Sequence, residues 1–112
     1  VVCIEKELDG VMILTLKGKL IATGDAEKLH MFINSVLERN TNQIILNMKN
    51  ITRISSLGIG AILRALTTVR QAGGDLRLAG LDENVKNIFS ITKLIGLIKI
   101  FDQTDEAVAS FA

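Results

Sequence analysis

The segment from Ile51 to Leu63 constrains the fold of this chain more than any other, because it joins a buried strand to a buried helix through a pair of serines. Upstream, Ile44 to Met48 is a short apolar run of strand length. Downstream, Ile59, Ile62, Leu63, Leu66 and Val69 recur at helical spacing. Ser55 and Ser56 therefore fall at a helix start. A hydroxyl there accepts a hydrogen bond from the free N–H groups of the first turn, and those groups with the helix dipole would also favour an added phosphate.

The rest of the chain reads as a regular alternation. Val2, Ile4, Lys6 and Leu8 alternate with Cys3, Glu5 and Glu7, and Asp9-Gly10 precedes the apolar run Val11 to Leu16, so the pattern predicts a hairpin around a two-residue turn. The charged first strand suits a sheet edge and the apolar second strand the interior. Gly18 to Gly24 reads as a loop. Asp25 is placed to cap a helix in which Leu29, Phe32, Ile33, Val36 and Leu37 form one apolar stripe, ending near Arg39 and Asn40. A strand over Gln43 to Met48 leads into the serine junction, and the following helix runs to Ala72, stopped by Gly73-Gly74. A strand over Asp75 to Ala79 and a short helix capped by Asp82 follow, with Val85, Ile88 and Phe89 inward. Ile98 to Phe101 make a last strand, and Thr104, Asp105 and Glu106 open a last helix holding Val108 and Phe111. Right-handed crossovers would assemble these into an α/β domain, with a mixed, mostly parallel sheet of four to five strands flanked by about four helices.

At 112 residues the chain makes one domain, spanning 1–112, and buries roughly 65% of its unfolded surface without a metal or disulfide. Zero proline and the lack of a repeat argue against an internal linker. A net charge of +1 carries no basic excess for nucleic-acid binding. Cys3, the one cysteine, excludes an intrachain disulfide and a thiolate metal cluster, and reads as packing on the first strand. No apolar run reaches the ~18 residues of a membrane span and no signal-type core opens the sequence, so no direct membrane insertion is expected and the location reads as cytoplasmic.

Candidate chemistry is sparse. His30 stands on the polar side of its helix without a second histidine or a cysteine near it, which is poor ground for a metal site or a general base. Gly58 and Gly60 lack the lysine of a P-loop and the third glycine of a dinucleotide fold, and fit close backbone packing better. Met12, Met31 and Met48 share no spacing and read as packing residues. Arg53, Arg64, Lys93 and Lys99 read as solvated, with Arg53 flanking the serine junction. Neither catalysis, a metal nor a cofactor is expected.

The run Ile54-Ser55-Ser56-Leu57-Gly58-Ile59-Gly60 resembles the signature of STAS domains, the anti-sigma factor antagonists, usually Ile-Asp-Ser-Ser-Gly-Leu-Gly. Comparable segments fall in the same order at Gly18-Lys19-Leu20, Ile44 to Asn47, Gly73 to Leu78, Ile91-Thr92-Lys93-Leu94 and Ile100-Phe101-Asp102, so the likeness covers essentially the whole chain. The resemblance implies a protein-binding regulator that docks on an anti-sigma factor doubling as a serine kinase and thereby frees a sigma factor. It also implies a partner-facing surface made of Leu20, Ile21, Ala22 and Thr23 with Arg53, Ser55, Ser56, Leu57, Gly58, Ile59 and Gly60. Three departures matter: Leu57 stands where phosphorylated members have the acceptor serine, Ser55 where they have the aspartate, and Ile21 where they often have an acid. Leu57 has no hydroxyl, and Ser56 is a poor substitute because adjacent helical positions point ~100° apart. The usual switch is therefore expected to be missing. A scaffold in a signalling assembly and an accessory module of a transporter are alternatives on the same fold; a homodimer is left open.

Overall fold

The computed structural model describes residues 1–91, 93 and 96–112. Thr92 and Leu94 of the Ile91 to Leu94 segment lie outside them. The elements in order are β1 (Val2–Leu8), β2 (Val11–Leu20), α1 (Thr23–Glu38), β3 (Gln43–Ile54), α2 (Ser56–Gln71), β4 (Asp75–Ala79), α3 (Glu83–Ile91), β5 (Ile100–Phe101) and α4 (Thr104–Ala109). The five strands form one sheet in the order β1-β2-β3-β4-β5. β1 and β2 are antiparallel around Asp9-Gly10, and every later pair is parallel. The α/β reading and the edge and interior roles of the hairpin strands both hold.

The two faces of the sheet differ. On one, Leu14, Leu16, Ile44, Leu46, Leu76 and Leu78 meet the apolar stripes of α1 (Leu29, Ile33, Val36), α2 (Ile62, Leu66, Val69) and α3 (Val85, Phe89). Most of these side chains are fully buried, each favouring the fold by about 1.5–3 kcal/mol. On the other, α4 lays Ala107 and Val108 over Val11, Ile13, Ile45 and Ala79. Crossovers that carry α1, α2 and α3 to one face and, among the described residues, leave the six-residue α4 for the other follow from the strand order.

Several boundaries differ from the sequence expectation. β2 continues to Leu20 and β3 to Ile54, so the loop expected over Gly18 to Gly24 shrinks to Ile21 and Ala22. Lys17, Gly18, Lys19 and Leu20 pair with Asn50, Ile51, Arg53 and Ile54, through two register shifts. Gly18, with φ +110°, supplies the backbone turn that one irregularity needs. Asp25 is not the N-cap of α1: Ala22 holds that place, and the Asp25 carboxylate reaches back to accept from the Ile21 and Ala22 N–H groups at 3.2 and 3.1 Å. β5 is confined to Ile100–Phe101, although Ile98 remains buried. Asp82 does accept from Val85 N–H, at 2.8 Å, as a cap should. α4 has Gln103 at its N-cap, and Glu106 accepts from the Gln103 N–H.

Candidate functional site at the start of α2

β2 and β3 run parallel and end side by side, with Leu20 opposite Ile54, so the residues that follow each strand become neighbours. Ser55 ties the two exits together. Its backbone N–H donates to the Leu20 carbonyl at 3.1 Å, and its hydroxyl donates to the Ile21 carbonyl at 2.8 Å. The same Oγ accepts from Gly58 N–H at 3.3 Å, while its carbonyl accepts from Ile59 N–H at 2.9 Å. One serine thus caps α2 and fixes the chain entering α1, and the N-cap expectation is met. Gly58 lies against the β2 exit so closely that an added Cβ would overlap the Leu20 carbonyl oxygen and crowd Ile54 Cγ1. Close packing is therefore what this glycine serves, whereas Gly60, with nothing within 4 Å of an added Cβ, does not meet that expectation.

The expected surface residues sort by exposure. Ser56, Ala22, Thr23, Arg53 and Gly60 are exposed, Ile21, Ser55 and Ile59 are half-buried, and Leu57 is 54% exposed although apolar. Two members of the expected set must be corrected. Leu20 is fully buried in the main core, and Gly58 is buried beneath the strand exit, so neither presents a side chain to a visitor. They position the surface without being part of it.

Charge is distributed unevenly here. The first turn of α2 has no acidic residue, and its cap is a neutral hydroxyl. Beside it, the hydrogen bonds from Ala22 and Ile21 N–H hold the Asp25 carboxyl below the usual carboxylate range. His30, expected on a solvated face, sits instead between α1 and α2. Its Nε2 lies 3.0 Å from Asn34 Nδ2 and 3.2 Å from the Arg64 guanidinium, which can only donate, so Nε2 is the acceptor and the ring proton rests on Nδ1. Nδ1 is buried without a hydrogen-bond partner among the described residues. Arg64 is accordingly an inter-helix contact as well as an exposed cation. The i, i+4 spacing of His30 and Asn34 was the signal available for this pairing. Met31, 67% exposed, is another apolar surface residue, which reading it as packing misses; it falls off the stripe formed by Leu29, Phe32, Ile33 and Val36. Cys3 packs against the main core as expected, and burial, then the nearby Glu5 charge, pushes its thiol up to about 11. No group of three or more metal-ligating side chains occurs among the described residues, and no helix among them is long and apolar enough to cross a membrane.

Comparison with known proteins agrees with this geometry. The STAS domain family model matches residues 4–107. A candidate anti-sigma factor antagonist of Thermotoga neapolitana is 30% identical over 107 residues, covering 92% of this chain and 91% of the relative. The anti-sigma F factor antagonist of Paenibacillus polymyxa is 27% identical over 100 residues, covering 88% and 85%. A crystal structure of a candidate anti-sigma factor antagonist from Thermotoga maritima superposes with a TM-score of 0.82 at 28% identity, over 96% of this chain and 92% of that one. With a strand-to-helix serine junction, a mixed five-stranded sheet and a family match over nearly its whole length, this chain belongs to the STAS domain family.

Proposed function

We propose that this domain is a regulatory binding module that docks on an anti-sigma factor of the serine-kinase type and so releases a sigma factor, without being switched off by phosphorylation at the usual position. The observation that carries the reading is Leu57: an apolar side chain 54% exposed in the first turn of α2, where the family's acceptor serine would stand. Ile21, Ala22 and Thr23 on one side and Ser56, Ile59 and Gly60 on the other extend this patch, while Arg53, two residues before the cap, projects to the opposite face of the sheet. Relatives named as anti-sigma factor antagonists, matched over most of their length, support the partner class.

The physics of the missing switch is simple. A phosphoserine at a helix N-terminus is compatible with its own fold but brings about two negative charges into the partner's contact surface. A desolvated, unpaired charge costs several kcal/mol, and ~4 kcal/mol is nearly a thousandfold in affinity. A leucine keeps that surface neutral and apolar, so binding is constitutive or controlled through the partner. The test is a pull-down from a native lysate containing cytosol and detergent-solubilised membranes, with the wild type beside Leu57→Asp, followed by calorimetry on the captured protein. Capture of a histidine-kinase-like ATPase by the wild type, at least about tenfold weaker for the variant, is expected. Equal binding by both would remove the α2 start as the contact, and capture of a permease would move the domain to the transporter class.

A further inference from the structure

The half of the sheet that α4 leaves open has its own chemistry. α4 packs over β3, β4 and β5, and its Ala107 and Val108 also meet Val11 and Ile13 at the start of β2, but among the described residues no helix lies on β1 or on the later parts of β2 and β3 on that face. There Val2, Ile4 and Leu8 are 62%, 63% and 41% exposed. Their register partners Lys17, Thr15 and Val11 place them on the α4 side, because Val11 belongs to the cluster beneath α4. Lys6, opposite Ile13, shares that side. Lys19 and Arg53 pair one step before Leu20 and Ile54, whose side chains enter the main core, so these two cations project to the α4 side as well.

Lys6, Lys17, Lys19, Lys49 and Arg53 are all exposed, and none is in an ion pair among the described residues. Glu5 and Glu7 alternate to the opposite face, where Glu5 pairs with Arg39. A chain of net charge +1 has thus gathered five unpaired cations on one half-face, which leaves the remainder of the molecule net acidic. A groove of about 350 Å³ separates this half-face from α4. Buried Ile13 and Val108 line it together with Lys6 and Lys49, and Asp105 lines its α4 side.

We infer that this open half-face docks a segment of a second protein, an amphipathic helix with an apolar stripe and acidic flanks, lying beside α4. The fold supplies the precedent. α4 itself covers the neighbouring half with an acidic first turn, Asp105 and Glu106, and an apolar contact side, Ala107 and Val108. The occupant repeats that chemistry one strand pair away, with acids facing the lysines and apolar residues on Val2, Ile4 and Leu8. The seven residues of β1 span a little over 20 Å, the length of a helix of about fifteen residues. Two other occupants fit worse. A flat anionic membrane would meet the Asp105 carboxylate, which lines the same groove as Ile13. A second copy related by a two-fold axis would set the same cationic patch against itself. Because α2 lies across the sheet from this half-face, the inference stands independently of the Leu57 surface: the domain would hold two partners at once.

The probe is a fluorescein-labelled model peptide of about fifteen residues with a leucine stripe and glutamate flanks, and fluorescence anisotropy is the readout. Wild-type protein is expected to bind it, with affinity falling as salt is raised. The double variants Ile4→Glu/Lys17→Glu and Lys49→Glu/Arg53→Glu, on different strands and checked for folding by circular dichroism, are expected to lose about tenfold or more. Leu57→Asp is expected to bind as the wild type does, and amide shifts on peptide addition should fall on β1 and β2. Equal binding by both double variants, equal binding of a lysine-flanked counterpart, or shifts confined to other elements would overturn the inference. So would capture by phosphatidylglycerol vesicles without peptide binding, or wild-type self-association abolished by either double variant.

Discussion

α1 and α2 start next to each other, follow parallel neighbouring strands, and solve the same problem with different chemistry. Each must satisfy backbone N–H groups that a helix start leaves free. At α1 a carboxylate does it, Asp25 accepting from Ile21 and Ala22 N–H. At α2 a hydroxyl does it, Ser55 accepting from Gly58 N–H while donating to Ile21 O. The first solution places a charge near the surface and the second places none. A neutral cap lets the α2 start stand open as an apolar patch around Leu57, while the neighbouring charge stays engaged with its own backbone. Under the function proposed above, structure and recognition are divided between two adjoining turns.

The largest effect on this arrangement should come from Gly58→Ala. The added methyl would collide with the backbone oxygen of Leu20, which cannot move without disturbing the β2–β3 pairing. A loss of about 3 kcal/mol or more in unfolding free energy is expected by denaturant titration. Gly60→Ala, two positions on and with nothing within 4 Å of the added carbon, should instead gain up to about 1 kcal/mol through helix propensity. Equal effects from the two would show that the close approach at Gly58 is not what holds the two exits together. Next comes Ser55→Ala, which removes the cap and leaves Ile21 O without its donor. A loss of about 1–2 kcal/mol is expected. Amide exchange should quicken at both helix starts, and quickening at α2 alone would mean the bridge to Ile21 contributes little.

Much of this was legible in the chain itself, and the exceptions have a common cause. The serine junction, the hairpin and the apolar stripes of α1 and α2 follow from hydrophobic period, because period reports which side of an element meets a neighbour. It does not report backbone pairing. Lys17 to Lys19 and Lys49 to Arg53 look like polar loops, yet they are paired strands whose outer side no helix covers among the described residues. The burial of Leu20 and Gly58 was hidden for a related reason: both lie at an exit from β2 or β3, and only the contact between those exits, 34 positions apart along the chain at Ser55 and Ile21, puts them inside. Asp25 reads as a helix-start residue, but sequence alone does not separate the N-cap from the third helical position, since an aspartate can cap from the first or by reaching back from the second.

The smallest effect distinguishes the two caps by pH. Asp25 has a folded-state value below the ordinary 3.8 because the Ala22 and Ile21 N–H groups favour its charged form. A depressed carboxylate contributes stability that is fully present above the unfolded value and is lost as pH falls through the folded one. Global unfolding in acid would not isolate it, because Asp75 behaves similarly: burial pushes that carboxyl up, but hydrogen bonds from Arg77 and Arg70 outweigh it and hold it low. A local readout separates them. Followed by NMR, the Ile21 and Ala22 amide resonances should titrate with a midpoint below 3.8, whereas Gly58, bonded to a hydroxyl that does not ionise, should stay in place. Movement of all three with one midpoint would mean that the helix starts open together, and the division between a charged structural turn and a neutral docking turn would fail.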